Sequence, residues 1–141
     1  MLLKELNLED KDNIIALALF GSYNTEQWIR NKSDIDILVL LNEKIGVNFE
    51  FDLEDKLIPL LQKFYKYDNI HLTFVYLNEF DSNFANCYIN SKDKVIYDPN
   101  KEIDFRLYVN KYLRNNEWLD SLIKSDTELL RRYATYRRWN I

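Results

Sequence analysis

Ile14-Ile15-Ala16-Leu17-Ala18-Leu19-Phe20, then Gly21-Ser22, then an eleven-residue stretch from Tyr23 to Ser33, then Asp34-Ile35-Asp36-Ile37-Leu38-Val39-Leu40-Leu41: residues 14–41 decide the fold. The first run is short, almost wholly apolar and stopped by a glycine, which reads as a buried strand. Residues 21–33 carry little periodicity and suggest a turn, a short helix and a loop. The run from Asp34 starts with strict alternation and becomes continuously apolar, the pattern of a second, central strand.

Two features of this stretch carry chemistry. A glycine at a strand end permits positive φ and lets backbone N–H groups approach a ligand without a Cβ in the way. Amides at such a turn can hold phosphate oxygens, and Ser22 adds a hydroxyl donor. Taken alone, Gly21-Ser22 reads equally as an ordinary strand-ending turn with a serine cap. Asp34 and Asp36 stand at i and i+2 on a strand, so both carboxylates point to one face. Like charges side by side are unfavourable unless a cation lies between them. The structural alternative makes Asp34 a loop residue and Asp36 an exposed position on an edge strand.

Outward from this segment, the rest of the chain supplies a frame. Residues 5–13 are polar and suit the end or exposed face of an N-terminal helix. Leu53, Leu57, Leu60, Leu61 and Phe64 mark an amphipathic helix within Phe49–Tyr67, with Pro59 predicting a kink or a later start. Ile70–Leu77 reads as a third strand, and Asn78–Asn90 as a helix turning Phe80, Phe84, Cys87 and Tyr88 inward. Val95-Ile96-Tyr97 is a short strand before Asp98-Pro99. Residues 102–141 are expected to form C-terminal helices, broken near Arg114-Asn115-Asn116. The expectation is one domain over residues 1–141, an α/β (α+β) fold with a small mixed sheet flanked by helices.

Composition removes several function classes. A net charge of −4 argues against nucleic acid as a sequence-independent partner. One cysteine, Cys87, and one histidine, His71, exclude an internal disulfide framework and a Cys/His zinc site. Any metal must then be held by oxygen, which favours Mg²⁺ or Mn²⁺. No apolar run reaches the roughly 20 residues that cross a bilayer, and no signal peptide is visible. The default expectation is a cytoplasmic protein without membrane contact.

Phe20-Gly21-Ser22 followed by Ser33-Asp34-Ile35-Asp36-Ile37 resembles the signature of the nucleotidyltransferase superfamily that includes DNA polymerase β. The closer resemblance is to minimal nucleotidyltransferases of the MntA type, antitoxins paired with HepT toxins of the HEPN class. The short chain, the strand ending Leu77-Asn78 and the later Val95-Ile96-Tyr97-Asp98 carry that similarity. The resemblance implies ATP as substrate, with its β- and γ-phosphates on Gly21 and Ser22. It implies Asp34 and Asp36 as the catalytic carboxylates and Mg²⁺ ligands. Its acceptor would be a tyrosine of a HEPN-type ribonuclease toxin, neutralised by AMPylation.

The chain departs from that pattern twice. Its spacer of eleven residues is one longer than the usual ten and has Gln27 and Trp28 where the family often carries a glycine. On the third strand, where the superfamily places another carboxylate, the best register puts Thr73, with His71 on the same face two residues earlier, and neither is an acid. This departure keeps open a catalytically impaired antitoxin that acts by binding alone. A small-molecule (aminoglycoside-like) or RNA nucleotidyltransferase is the remaining alternative. Arg131, Arg132, Arg137 and Arg138, interleaved with Tyr133, Tyr136 and Trp139, read as a solvated helix face or as a protein-docking surface.

Overall fold

The computed structural model describes residues 2–23 and 25–125, with side chains as far as residue 115. A single 3₁₀ turn, Leu3–Glu5, precedes β1 (Ile14–Phe20), β2 (Ile35–Leu41), α1 (Val47–Tyr65), β3 (Ile70–Tyr76), α2 (Asn83–Asn90), β4 (Lys94–Ile96) and α3 (Pro99–Ser125). The strands form one sheet in the order β3-β2-β1-β4. β1 runs antiparallel to β2 and to β4, while β2 and β3 are parallel. A parallel pair needs a crossover, and α1 provides it.

β2 explains why the sheet is covered on both faces. Ile35, Ile37, Val39 and Leu41 point to one side and pack with Leu17, Leu19, Leu53, Leu57, Leu61 and Tyr65 beneath α1. Leu38 and Leu40 point to the other and pack with Ala16, Ala18, Val75, Ala85, Tyr88, Phe105 and Val109 beneath α2 and α3. Each such Leu or Ile contributes about 1.5–3 kcal/mol on burial. The continuous apolar run that followed the initial alternation is therefore a strand buried on two sides, in a small mixed α/β sheet. Asp36 belongs by parity to the α2/α3 face, at the end of the strand where that core stops.

Several elements differ from expectation. The N-terminal polar stretch forms only the Leu3–Glu5 turn. Leu3 is pinned instead by its backbone N–H, which donates to the Asp93 carboxylate at 2.8 Å. α1 runs through Pro59. Pro59 lies on its exposed side, where the unpaired Asp55 carbonyl can bond water. α2 starts at Asn83, because the Ser82 hydroxyl accepts from the Ala85 N–H at 3.2 Å and caps it there. Phe84 consequently points outward, 45% exposed, its ring edge-on to Phe20. α3 passes through residues 114–116 without the expected break. Arg and Asn are both tolerated inside a helix, and no glycine or proline stands there. The Arg131–Trp139 segment lies outside the described residues. Among those that are described, no helix is long and apolar enough to cross a membrane.

Candidate active site

The ladder between β1 and β2 ends at the pair Phe20↔Asp36. Gly21 comes next, at φ +76, and the Asp36 carboxylate lies directly against it. A Cβ built on Gly21 would stand 2.5 Å from Asp36 Oδ2, 3.3 Å from its Cγ and 3.4 Å from its Cβ. Glycine is thus required twice, for the left-handed backbone and for the approach of the carboxylate. The strand-end glycine and the second aspartate of Asp-x-Asp form one contact.

Asp36 retains 27% exposure in its side chain, and its pKa is raised above the ordinary carboxylate value. Burial is the first cause. The negative charge of Asp34 pushes in the same direction, while His71 opposes both. Asp34 itself is exposed and precedes β2. Asp34 therefore stands one residue outside the strand that the alternation predicts from residue 34.

The parallel register between β2 and β3 sets His71 beside Asp36 and Thr73 beside Leu38, one step further into the sheet. His71 Nδ1 stands 3.5 Å from Asp36 Oδ1, and the imidazole is 62% exposed. Of the two candidates for the third position, His71 is therefore the one that faces Asp36. Ser22 accepts through its carbonyl from the Thr25 hydroxyl at 2.7 Å and the Thr25 N–H at 2.9 Å, which closes the turn after Gly21.

Beside Gly21 opens a cleft of about 480 Å³ between the end of β1, α2 and the Ser91–Asp93 segment. Leu19, Phe20 and Cys87 give it apolar wall; Asn86, Asn90 and Lys92 give it polar groups. No local pattern announces this cleft, since its walls lie some 70 positions apart along the chain.

Asp34 and Asp36 fit a hard divalent cation by chemistry, because both are acceptor-only oxygen donors. Among the described residues, no three His, Cys, Asp or Glu side chains converge as a complete metal cage. Mg²⁺ is usually held by one or two carboxylates together with substrate phosphates, so a two-carboxylate edge suits a metal that arrives with nucleotide.

The Gly21 turn thus packs against Asp36, the second aspartate of Asp-x-Asp, where the β1–β2 ladder of the mixed sheet ends. The polymerase beta nucleotidyltransferase family model matches residues 4–102, and the chain belongs to that family. No curated protein matches the sequence. Among solved structures, the chain is similar to the crystal structure of a mutant of the toxin-antitoxin MntA-HpeT. The two share 18% identity at a TM-score of 0.45, over 86% of this chain and 88% of that one.

Proposed function

We propose that this protein is a Mg²⁺-dependent nucleotidyltransferase-type antitoxin that transfers AMP from ATP to a tyrosine of a HEPN-type ribonuclease toxin. The observation that carries the reading is the Asp36 carboxylate seated against Gly21, with Asp34 beside it. Two carboxylates near that corner support a metal-assisted triphosphate site there. Family membership supports the nucleotide; the resemblance to MntA-type sequences in the short chain, Leu77-Asn78 and Val95-Ile96-Tyr97-Asp98 supports the acceptor.

In this reading Gly21 and Ser22 hold the β- and γ-phosphates, and the cleft beside Gly21 offers room for the nucleoside. Asp34 and Asp36 would hold Mg²⁺, which supplies charge neutralisation for the phosphates when bound. The toxin's tyrosine oxygen attacks the α-phosphorus, the bond to the β-phosphate oxygen breaks, and pyrophosphate leaves. The phenol proton needs an acceptor. His71, exposed beside Asp36 and the chain's one histidine, would take that part.

A second reading has its own observation. The position facing Asp36 on β3 holds a histidine, and the described residues complete no three-ligand site. In that reading the fold is kept and the toxin is neutralised by binding alone. Radiolabelled ATP, Mg²⁺ and the toxin encoded beside this protein separate the two. Transfer of label to a toxin tyrosine, lost in Asp36→Ala, is the expected result. Full neutralisation by Asp36→Ala without label would establish the binding-only antitoxin instead.

A further inference from the structure

Asp34 is exposed and stands before the first residue of β2, so neither core packing nor the strand ladder fixes it. Yet the peptide groups on both sides of its Cα are held. The Ser33 carbonyl accepts from the Tyr67 hydroxyl at 2.6 Å. The Asp34 carbonyl accepts from the Trp28 indole N–H at 3.1 Å. The same Tyr67 hydroxyl accepts from the Asn31 N–H at 2.9 Å, which holds a residue in left-handed conformation, φ 70.

These two aromatic residues form a single block. The Trp28 and Tyr67 rings are 5.0 Å apart, and the Arg30 guanidinium stands 5.6 Å from the Tyr67 ring centre. Trp28 also meets Tyr23 edge-on at 5.1 Å, and Tyr23 packs on Tyr65 of α1 at 5.5 Å. Tyr23 directly follows Ser22. One block therefore fastens the residue after Gly-Ser and both peptides flanking Asp34. Its own footing is firm. Tyr67 is buried and follows the left-handed cap Lys66, φ 54, with its N–H donating to the Gln62 carbonyl at 3.1 Å.

We infer that Tyr67 and Trp28 are positioning residues: they clamp the backbone around Asp34 so that its carboxylate stays aimed at the corner formed by Gly21 and Asp36. The physical reason is preorganisation. A ligand on a free loop must lose backbone freedom each time it binds, whereas a clamped one has already lost it. Hydrogen bonds behind a metal-binding group commonly alter metal affinity about 10–100-fold. The inference rests on the nucleotidyltransferase reading of Asp34 and adds to it which residues make that carboxylate competent.

Tyr67→Phe keeps the ring and removes only the hydroxyl. Mn²⁺ binding in the presence of a non-hydrolysable ATP analogue, followed by calorimetry, reads the consequence. We expect the Mn²⁺ dissociation constant to rise about tenfold. That rise should shrink to less than about twofold when both proteins compared also carry Asp34→Ala. The Gly46→Ala variant, changed far from the clamp, should leave the Mn²⁺ constant unaltered and so control for loss of stability. Trp28→Phe, at a half-buried ring, tests the second bond and serves if Tyr67→Phe does not fold. Unchanged Mn²⁺ affinity in a folded clamp variant, with only a lowered melting temperature, would overturn the positioning role alone. A wild-type protein that binds no Mn²⁺ with the analogue would overturn the nucleotidyltransferase reading itself and this inference with it.

Discussion

The chain contains two glycines, and they do opposite things. Gly21 is crowded: Asp36 Oδ2 fills the space its Cβ would take, 2.5 Å away. Gly46 is open, with nothing within 4 Å of the same position, yet its φ of +154 lies where L-residues rarely go. It precedes the first turn of α1, and its carbonyl accepts from the Glu50 N–H at 3.3 Å. Gly46 therefore answers only to the path of the backbone. Gly21 answers to a neighbour's carboxylate, and that difference separates a residue kept for folding from one kept for a site.

The largest effect expected from this contrast is on binding. In Gly21→Ala the new methyl group evicts the Asp36 carboxylate, which is the free end of a side chain and can swing aside. The folding cost stays modest, about 1–2 kcal/mol from the left-handed backbone. Metal-dependent nucleotide binding should nevertheless fall by at least about 100-fold, because one ligand has been moved. Calorimetric titration with Mn²⁺ and an ATP analogue, beside a thermal melt, checks both halves. Retained binding would mean that the carboxylate works from a position other than the one against Gly21.

How much of this contrast the sequence reveals depends on the distance between partners. The strand–Gly-Ser–loop–Asp-x-Asp order is local, so β1 and β2 are legible from residues 14–41, although β2 starts at Ile35 and leaves Asp34 just before the strand. The reason for Gly21 is less so. Positive φ can be read from a glycine at a strand end, but contact with Asp36 depends on the antiparallel register of two strands. The β3 partner of Asp36 is harder still. A shift of two residues exchanges Thr73 for His71 while keeping the same face, and no periodicity distinguishes them. Tyr67 is invisible in the sequence, because its hydroxyl acts 34 residues away, on Ser33. The expected helix breaks failed for different reasons: Pro59 lies on an exposed helix side, and residues 114–116 hold no glycine or proline to stop α3.

Gly46→Ala sharpens the comparison from the other side. Its backbone conformation is close to glycine-only, and alanine there should cost about 1–3 kcal/mol of folding stability. Nothing meets the added methyl group, and Gly46 takes no part in the corner around Gly21. Urea unfolding should show the loss, while nucleotide and Mn²⁺ affinities stay within about twofold of wild type at temperatures where the variant is folded. A large loss of affinity would mean that the start of α1 is coupled to the site, and the division between the two glycines would fail.

The smallest effect has the opposite sign. Burial and the neighbouring Asp34 raise the pKa of Asp36, so the folded protein disfavours this carboxylate's charge more than the unfolded chain does. Asp36→Asn should therefore stabilise the metal-free protein at neutral pH. The expected gain is about 0.5 kcal/mol, since the group keeps access to water and His71 offsets part of the cost. A raised folded-state pKa means that wild type recovers its deficit as protonation proceeds. The gap between variant and wild type should close as pH falls through the folded pKa of Asp36, and open again as pH rises above it. Melts in EDTA across that range measure it. A site arranged for a cation shows this behaviour: its carboxylate weakens the empty protein and is offset only when the cation binds. Should Asp36→Asn destabilise the metal-free protein by more than about 1 kcal/mol, the carboxylate against Gly21 would be part of the scaffold, and the contrast between the two glycines would lose its functional meaning.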